Sequence, residues 1–208
     1  MGVANDERRQ LCDLFERVGA DAPTLCGEWT TRDLAVHLLL RERRPDALAG
    51  RFVKALADRG AKVEQELRDK PWPELVATLR EGAPKWNPMS FGSVDEAVNV
   101  PEFYVHHEDV RRAQPGWQPR PTDPEREEAL WRALSRVAKV FYGRSPVGVV
   151  LRRPDGTEIA ARRGPRTVRI SGQPSELILH AFGRRELQVD IDGNEADVLA
   201  VEDLRRTF

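Results

Sequence analysis

The chain has 208 residues, 40% of them hydrophobic and 32% charged, which is enough apolar material for a core beneath a heavily solvated surface. Its 33 basic and 34 acidic residues give a net charge of -1, which argues against nucleic acid as a partner because phosphate binding needs a concentrated positive surface. No apolar run is long enough to cross a bilayer and no signal peptide is recognisable, so we expect a cytoplasmic protein that does not bind membranes.

The first two-thirds of the chain has the pattern of helices. Residues 5–19 carry apolar side chains at spacings of three and four and end at a glycine. Thr30 or Thr31 is expected to cap a second helix, with Asp33 favourable in its first turn and Pro45 at its end. Further helices are predicted over residues 48–68, 74–82, 93–114 and 124–141, with a loop over 84–93. Four or five antiparallel helices joined by short loops predict a helical bundle.

After residue 143 the pattern changes to short β-branched runs separated by turns. Strands are predicted over residues 147–151, 158–162, 167–170 and 187–191, and helices over 174–182 and 195–204. The sequence therefore predicts a mainly α protein with two domains. These are a helical bundle at residues 1–143 and a small α+β domain at residues 144–208.

Glu102 and His106 are the first candidates for metal binding. They are four residues apart in a predicted helix, so both side chains lie on one face about one turn apart. A carboxylate and an imidazole together suit zinc, nickel or iron(II). For the pair taken alone, an ordinary helix salt bridge is the alternative.

His37 extends this pair if its helix faces the helix of Glu102 and His106. Alone on a mainly apolar helix face, His37 fits a hydrogen-bonded core histidine. Bundles, however, build metal sites from inward-pointing side chains of facing helices. Three ligands would leave an open coordination position, which is typical of a catalytic centre. We therefore expect a divalent ion, zinc by preference, bound by His37, Glu102 and His106.

Two further polar residues lie close to His106 in the sequence. His107 is about 100° further round the helix, so it does not share the face of Glu102 and His106. Asp109 is three residues beyond His106, and it would either orient a ligand from the bundle interior or lie at a polar rim.

Two segments carry a resemblance to a known family. They are Gly-Glu-Trp-Thr-Thr-Arg-Asp-Leu-Ala-Val-His at residues 27–37 and Glu-Phe-Tyr-Val-His-His-Glu-Asp-Val-Arg-Arg at residues 102–112. Together they resemble the mycothiol-dependent maleylpyruvate isomerase family of the DinB-like helical-bundle superfamily, and more closely an actinobacterial branch of metal-binding proteins. Residues 168–184 resemble the small sterol-carrier-like α+β domain of that family, so the likeness spans nearly the whole chain.

The resemblance implies both a fold and a site. The implied fold is a DinB-like four-helix bundle followed by the sterol-carrier-like domain, with metal ligands at His37, Glu102 and His106. It also implies that an arginine of the C-terminal domain meets the substrate. Arg184 is the matching position, and a plain surface arginine is the alternative. The implied cosubstrate is a low-molecular-weight thiol such as mycothiol.

The leading hypothesis for function is a metal-dependent thiol transferase or isomerase, in which a small-molecule thiol reacts with a small electrophilic substrate. A metal-dependent hydrolase of the same fold fits three ligands and an open position equally well. A non-catalytic, metal-binding stress-response module is the third hypothesis, and its fourth metal position would be filled by Asp109 or His107. We expect a monomer or a homodimer.

Overall fold

The computed structural model describes residues 2–48, 53, 57–84, 87 and 92–204, without side-chain detail for residues 48 and 92–97. Packing divides the chain into two units, Met1–Gln118 and Pro119–Phe208. Most of the described residues are helical, and a four-stranded sheet lies in the second unit. None of the helices in the described ranges is long and apolar enough to span a membrane.

The first unit is mainly helical in its described residues. Its helices are α1 (Val3–Val18), α2 (Thr31–Arg43), α3 (Pro45–Leu48), α4 (Ala57–Arg68), α5 (Trp72–Glu81) and α6 (Gly92–Arg112). α1 ends at Gly19, whose φ of 84° is a left-handed conformation that glycine adopts without strain. α6 continues through Pro101, which lies inside the helix.

An apolar core holds these helices together. α1 packs against α5 and α6, and α2 packs against α3, α4 and α5. The core cluster includes Leu38 from α2 and Phe103 from α6, both fully buried. Because burying each such side chain stabilises a fold by about 1.5–3 kcal/mol, this cluster fixes the two helices that carry the candidate ligands.

The second unit combines helices with the sheet. Its elements are α7 (Pro124–Phe141), β1 (Gly148–Arg152), β2 (Glu158–Arg162), β3 (Thr167–Ser171), α8 (Pro174–Ala181), β4 (Asp190–Asp192) and α9 (Glu195–Glu202). The strand order is β2-β1-β3-β4, with β1 parallel to β3 and both outer pairs antiparallel. In the central pair Val149 lies opposite Val168 and Leu151 opposite Ile170, and all four side chains are buried. α7 packs against α8 and β2.

The predicted helices agree with the structure within a few residues where both are described, except at Val53, which lies inside the helix predicted over residues 48–68 and is not helical. Two further details differ. β4 spans Asp190–Asp192 instead of residues 187–191, because the backbone N–H of Gln188 donates to the Glu176 carboxylate at 2.8 Å and is not available to a neighbouring strand. The predicted boundary follows residue 143, whereas α7 packs within the second unit. Residues 49–52 and 54–56 of the predicted third helix, and 85, 86 and 88–91 of the predicted loop, lie outside the described residues.

Candidate metal centre

α2 carries His37, and side-chain hydrogen bonds fix the start of this helix. The Asp33 carboxylate accepts a hydrogen bond from the Thr30 backbone N–H at 2.9 Å, and the Thr30 hydroxyl accepts one from the Asp33 backbone N–H at 3.4 Å. This capping box satisfies donors that a helix start leaves free. The Thr31 hydroxyl also donates to the Gly19 carbonyl at 2.6 Å. His37 follows less than two turns after this fixed start.

α6 carries Glu102 and His106 one turn apart, directly after Pro101. A proline has no N–H to donate, so it leaves a carbonyl of the preceding turn without its helical partner. Arg41 of α2 donates to the Asn99 side chain in that turn at 2.6 Å, and its Nε lies 3.4 Å from Oε1 of Glu102. Arg41 thus joins α2 to α6 beside the candidate ligands.

The three candidate ligands meet at Oε1 of Glu102. Nε2 of His37 and Nε2 of His106 each lie 3.4 Å from that oxygen. The two imidazole rings are 5.4 Å apart between centroids and nearly perpendicular. Two ligand atoms bound at about 2.0–2.1 Å to one tetrahedral zinc ion are about 3.3 Å apart. The donor types and both separations therefore fit a divalent ion such as zinc.

Glu102 is held in its ionised form. Burial alone would raise the pKa of this carboxyl, whose side chain is only 19% exposed. The hydrogen bonds from His106 and His37, with the positive charge of Arg41, outweigh burial and hold the pKa of Glu102 well below its usual value. Glu102 therefore offers an anionic ligand at neutral pH without first losing a proton.

The second ring nitrogen of His106 faces different side chains. Nδ1 lies 2.9 Å from Oδ2 of Asp109, which is fully buried, and the Cys26 thiol donates to the same oxygen at 3.0 Å. Burial alone would lower the pKa of His106, but its hydrogen bonds, first of all the one to Asp109, raise this pKa well above its usual value. A carboxylate at Nδ1 fixes the tautomer of a histidine and leaves Nε2 for a ligand. Asp109 thus occupies the orienting position considered for it and not a polar rim.

His37 has a ring nitrogen that no described residue satisfies. Nδ1 is buried and has no hydrogen-bond partner among the described residues, and the Trp29 ring packs beside it with 5.3 Å between centroids. Buried polar atoms are nearly always paired, and the exceptions concentrate at functional sites. This environment differs from that of a core histidine with both nitrogens hydrogen-bonded to protein.

His107 faces away from the candidate centre. Its Nδ1 lies 2.9 Å from the carboxylate of Glu7 on α1, and both side chains are buried. The different directions of His106 and His107 follow from the rotation of about 100° per residue in an α-helix. His107 therefore contributes to the packing of α6 on α1.

Arg184 lies in the second unit, shortly after α8. Its guanidinium donates to the carbonyl of Phe182 at 2.7 Å. Together with His180 and Arg185 it lines a cavity of about 760 Å³ in that unit.

Cys26 and Arg41 contribute to the surroundings of the ligands, and sequence reasoning missed both. Arg41 lies four residues after His37, so helical periodicity already places the two side chains on one face. Cys26 is in the loop before α2 and 80 residues from His106, and no motif spacing connects them. Only the packed structure brings the thiol to Asp109.

The described residues thus define a mainly helical protein whose first unit brings together three candidate metal ligands from two helices. The same fold is seen in the crystal structure of the mycothiol-dependent maleylpyruvate isomerase and in that of its variant with one histidine replaced by alanine. Each aligns with a TM-score of 0.58 and 15% identity over 92% of this chain and 91% of the other. The resemblance inferred from the sequence is therefore confirmed at the level of the fold. No protein-family profile and no curated protein matches the chain.

Proposed function

We propose that the protein is a metal-dependent enzyme that uses a low-molecular-weight thiol, such as mycothiol, for transfer to or isomerisation of a small electrophilic substrate. The observation that carries this proposal is the meeting of His37, Glu102 and His106 at one carboxylate oxygen. The two solved structures with the same fold are those of a mycothiol-dependent isomerase, which supports a thiol as the cosubstrate.

The arrangement favours an open site over a closed structural one. Asp109 lies at Nδ1 of His106, whereas Glu102 lies at Nε2 of the same ring. His107 is paired with Glu7. Neither Asp109 nor His107 belongs to the group of potential ligands formed by His37, Glu102 and His106. Because catalytic zinc sites have three protein ligands and one free position, this arrangement supports an enzyme more than a non-catalytic module.

Each residue of the centre has its own part in this proposal. A divalent ion bound there would lower the pKa of a thiol that reaches it, which supplies a nucleophile near neutral pH. Glu102 gives the centre its negative charge, and Arg41 holds that carboxylate in position. Asp109 keeps Nε2 of His106 directed towards Glu102.

The second unit would supply substrate recognition. Arg184 is our candidate for binding a substrate carboxylate, because a guanidinium can donate two parallel hydrogen bonds to a carboxylate. In this proposal the first unit is a DinB-like four-helix bundle and the second a sterol-carrier-like domain, as the sequence resemblance implies.

The first experiment is to measure the metal content of the purified protein and of His37→Ala, Glu102→Ala and His106→Ala. After dialysis against a weak chelator, we expect about one equivalent of a divalent ion in the wild type and at most a small fraction of one in each variant, since removal of one of three ligands greatly weakens a site. Glu28→Ala, at an exposed carboxylate in the loop before α2, is the matched control and should keep the ion. Circular dichroism checks that every variant is folded.

The same proteins are then assayed with mycothiol and with small electrophiles, maleylpyruvate among them. Turnover that requires both the ion and the thiol supports the proposal. Turnover that needs the ion but no thiol would instead support the hydrolase. Arg184→Ala should raise KM for carboxylate substrates while retaining the metal, and Arg163→Ala, at an exposed arginine of the second unit, should not. Folded variants and a wild type that all fail to take up an added ion would overturn the proposal.

A further inference from the structure

Cys26, His106 and Asp109 form a second group of potential metal ligands. Sγ of Cys26 lies 3.0 Å from Oδ2 of Asp109 and 3.8 Å from Nδ1 of His106. Nδ1 of His106 lies 2.9 Å from the same Asp109 oxygen. All three atoms are distinct from those that meet at Glu102, because His106 uses its other ring nitrogen there.

We propose that Cys26, His106 and Asp109 form a second, thiolate-containing metal position that shares His106 with the first. A thiolate, an imidazole and a carboxylate suit zinc and its softer relative cadmium. On binding, the protons of the Cys26 thiol and of His106 Nδ1 leave to solvent, and the three donor atoms bind the ion. The inference goes beyond the proposed function, since it requires no thiol cosubstrate and no turnover.

The separations of the donor atoms fit one ion. Sulfur, nitrogen and oxygen atoms bound to a tetrahedral zinc ion are about 3.3–3.6 Å apart. The observed distances of 2.9, 3.0 and 3.8 Å bracket this range. Small rotations of the three side chains would therefore bring the donor atoms to the separations that one ion requires, without movement of the backbone.

The loop of Cys26 is already held in place beside Asp109. The backbone N–H of Leu25 donates to the Asp109 carbonyl at 3.0 Å, so the loop and α6 are joined at the residue that provides a ligand. The Thr24 hydroxyl accepts from the Cys26 backbone N–H at 3.1 Å and donates to the Trp29 carbonyl at 2.8 Å. Because this conformation is fixed in advance, an ion does not have to order the loop on binding.

Sharing His106 makes the two positions compete. A neutral imidazole carries one proton, so an ion on each ring nitrogen requires the loss of both ring protons. We therefore expect the second position to bind weakly while the first is filled. It should bind more tightly once the first position has been removed.

The test uses His37→Ala, which removes a ligand of the first position only. Co²⁺ and Cd²⁺ are added to the full-length variant, and the near-ultraviolet absorption is recorded, where a thiolate bound to either ion gives a charge-transfer band. We expect this band in His37→Ala. In His37→Ala/Cys26→Ser it should disappear, with affinity for Cd²⁺ at least tenfold weaker in a chelator competition.

The matched control is the other cysteine. Cys12 is fully buried, and burial raises the pKa of its thiol to about 12, so His37→Ala/Cys12→Ala should keep the band. A folded His37→Ala protein that shows no sulfur-to-metal band with either ion would overturn the inference. That result leaves the proposed function intact if the wild type still binds one ion through His37, Glu102 and His106. If the wild type binds no ion through His37, Glu102 and His106 but His37→Ala still shows the band, only the proposed function is overturned.

Discussion

His106 directs its two ring nitrogens to two chemically different environments. Nε2 faces Glu102 and His37, and Nδ1 faces Asp109. A histidine ligand binds a metal better when a carboxylate holds its other nitrogen, because the tautomer and the ring orientation are then fixed. In the proposed function Asp109 would therefore contribute to the first metal position without being one of its ligands.

Replacing Asp109 should weaken metal binding while leaving the ligands in place. In Asp109→Asn the side chain keeps its size but loses its charge, and we expect the affinity for zinc at the first position to fall by about 10–100-fold. A competition titration with a chromophoric chelator measures this change. Asp21→Asn, at an exposed carboxylate in the loop before α2, should bind zinc like the wild type. Equal affinities for the two variants would show that Asp109 has no orienting role.

The pKa of His106 would make metal binding at the proposed first position depend on pH. Because this pKa is raised well above its usual value, metal-free His106 is protonated at neutral pH, and an ion at Nε2 must displace a proton. Glu102 contributes no proton, because its pKa is held well below its usual value. The apparent affinity should thus rise about tenfold per pH unit up to the raised pKa of His106 and level off above it.

Isothermal titration calorimetry in buffers with different ionisation enthalpies measures the released protons. We expect about one proton per ion at neutral pH. Asp109→Asn removes the main cause of the raised pKa of His106, so this variant should release fewer protons. An affinity for the first ion that does not change with pH would contradict a protonated His106.

The helices that carry the site were predictable from local sequence signals. A threonine cap such as Thr30, and a four-residue spacing such as that of Glu102 and His106, give the same local geometry in any helix. Which face of α2 meets α6 is not a local property, because it depends on core packing such as that of Leu38 and Phe103. From the sequence, it is therefore only a hypothesis that the face of α2 with His37 meets the face of α6 with Glu102 and His106. The packing of the helices in the structure is what brings the two faces together.

In the loop before α2, sequence periodicity does not predict the positions of side chains at all. A loop has no repeat that indicates where a side chain points, and the place of Cys26 depends on a hydrogen bond between Leu25 and Asp109, far apart in sequence. Similarly, β4 begins later than its apolar pattern predicts, because Glu176 of α8 binds the backbone N–H of Gln188. In both cases a long-range polar contact determines the conformation.

The capping box of α2 should be measurable as stability. Thr30→Ala removes the hydroxyl that accepts from the Asp33 N–H, and we expect the free energy of unfolding to fall by about 1 kcal/mol. Urea denaturation measures the change. The control is Thr78→Ala, since the Thr78 hydroxyl binds the Glu74 carbonyl within the same helix and alanine is the better helix former. If the free energy of unfolding falls equally in both variants, the capping hydrogen bond of Thr30 makes no particular contribution to stability.

At the scale of the whole molecule, the sequence predicted a helical part followed by an α+β part. The unit to which α7 belongs could not be predicted from its own residues. Its periodic apolar face, with Leu130 and Leu134 fully buried, suits any apolar partner, and helical periodicity does not identify that partner. In the structure the partners of α7 are α8 and β2, so it lies in the second unit.

An ion at the first position would also couple metal binding to the stability of the first unit. His37 comes from α2 and Glu102 and His106 come from α6, so the ion would bridge two helices that unfolding separates. A ligand that binds only the folded state stabilises it by about 2.7 kcal/mol when its free concentration is 100 times its Kd. Native-state hydrogen exchange of the amides in α2 and α6 should therefore slow on addition of zinc and recover with a chelator. In His37→Ala the amides of α2 should show neither change, and equal protection of the wild type with and without zinc would mean that no ion joins the two helices.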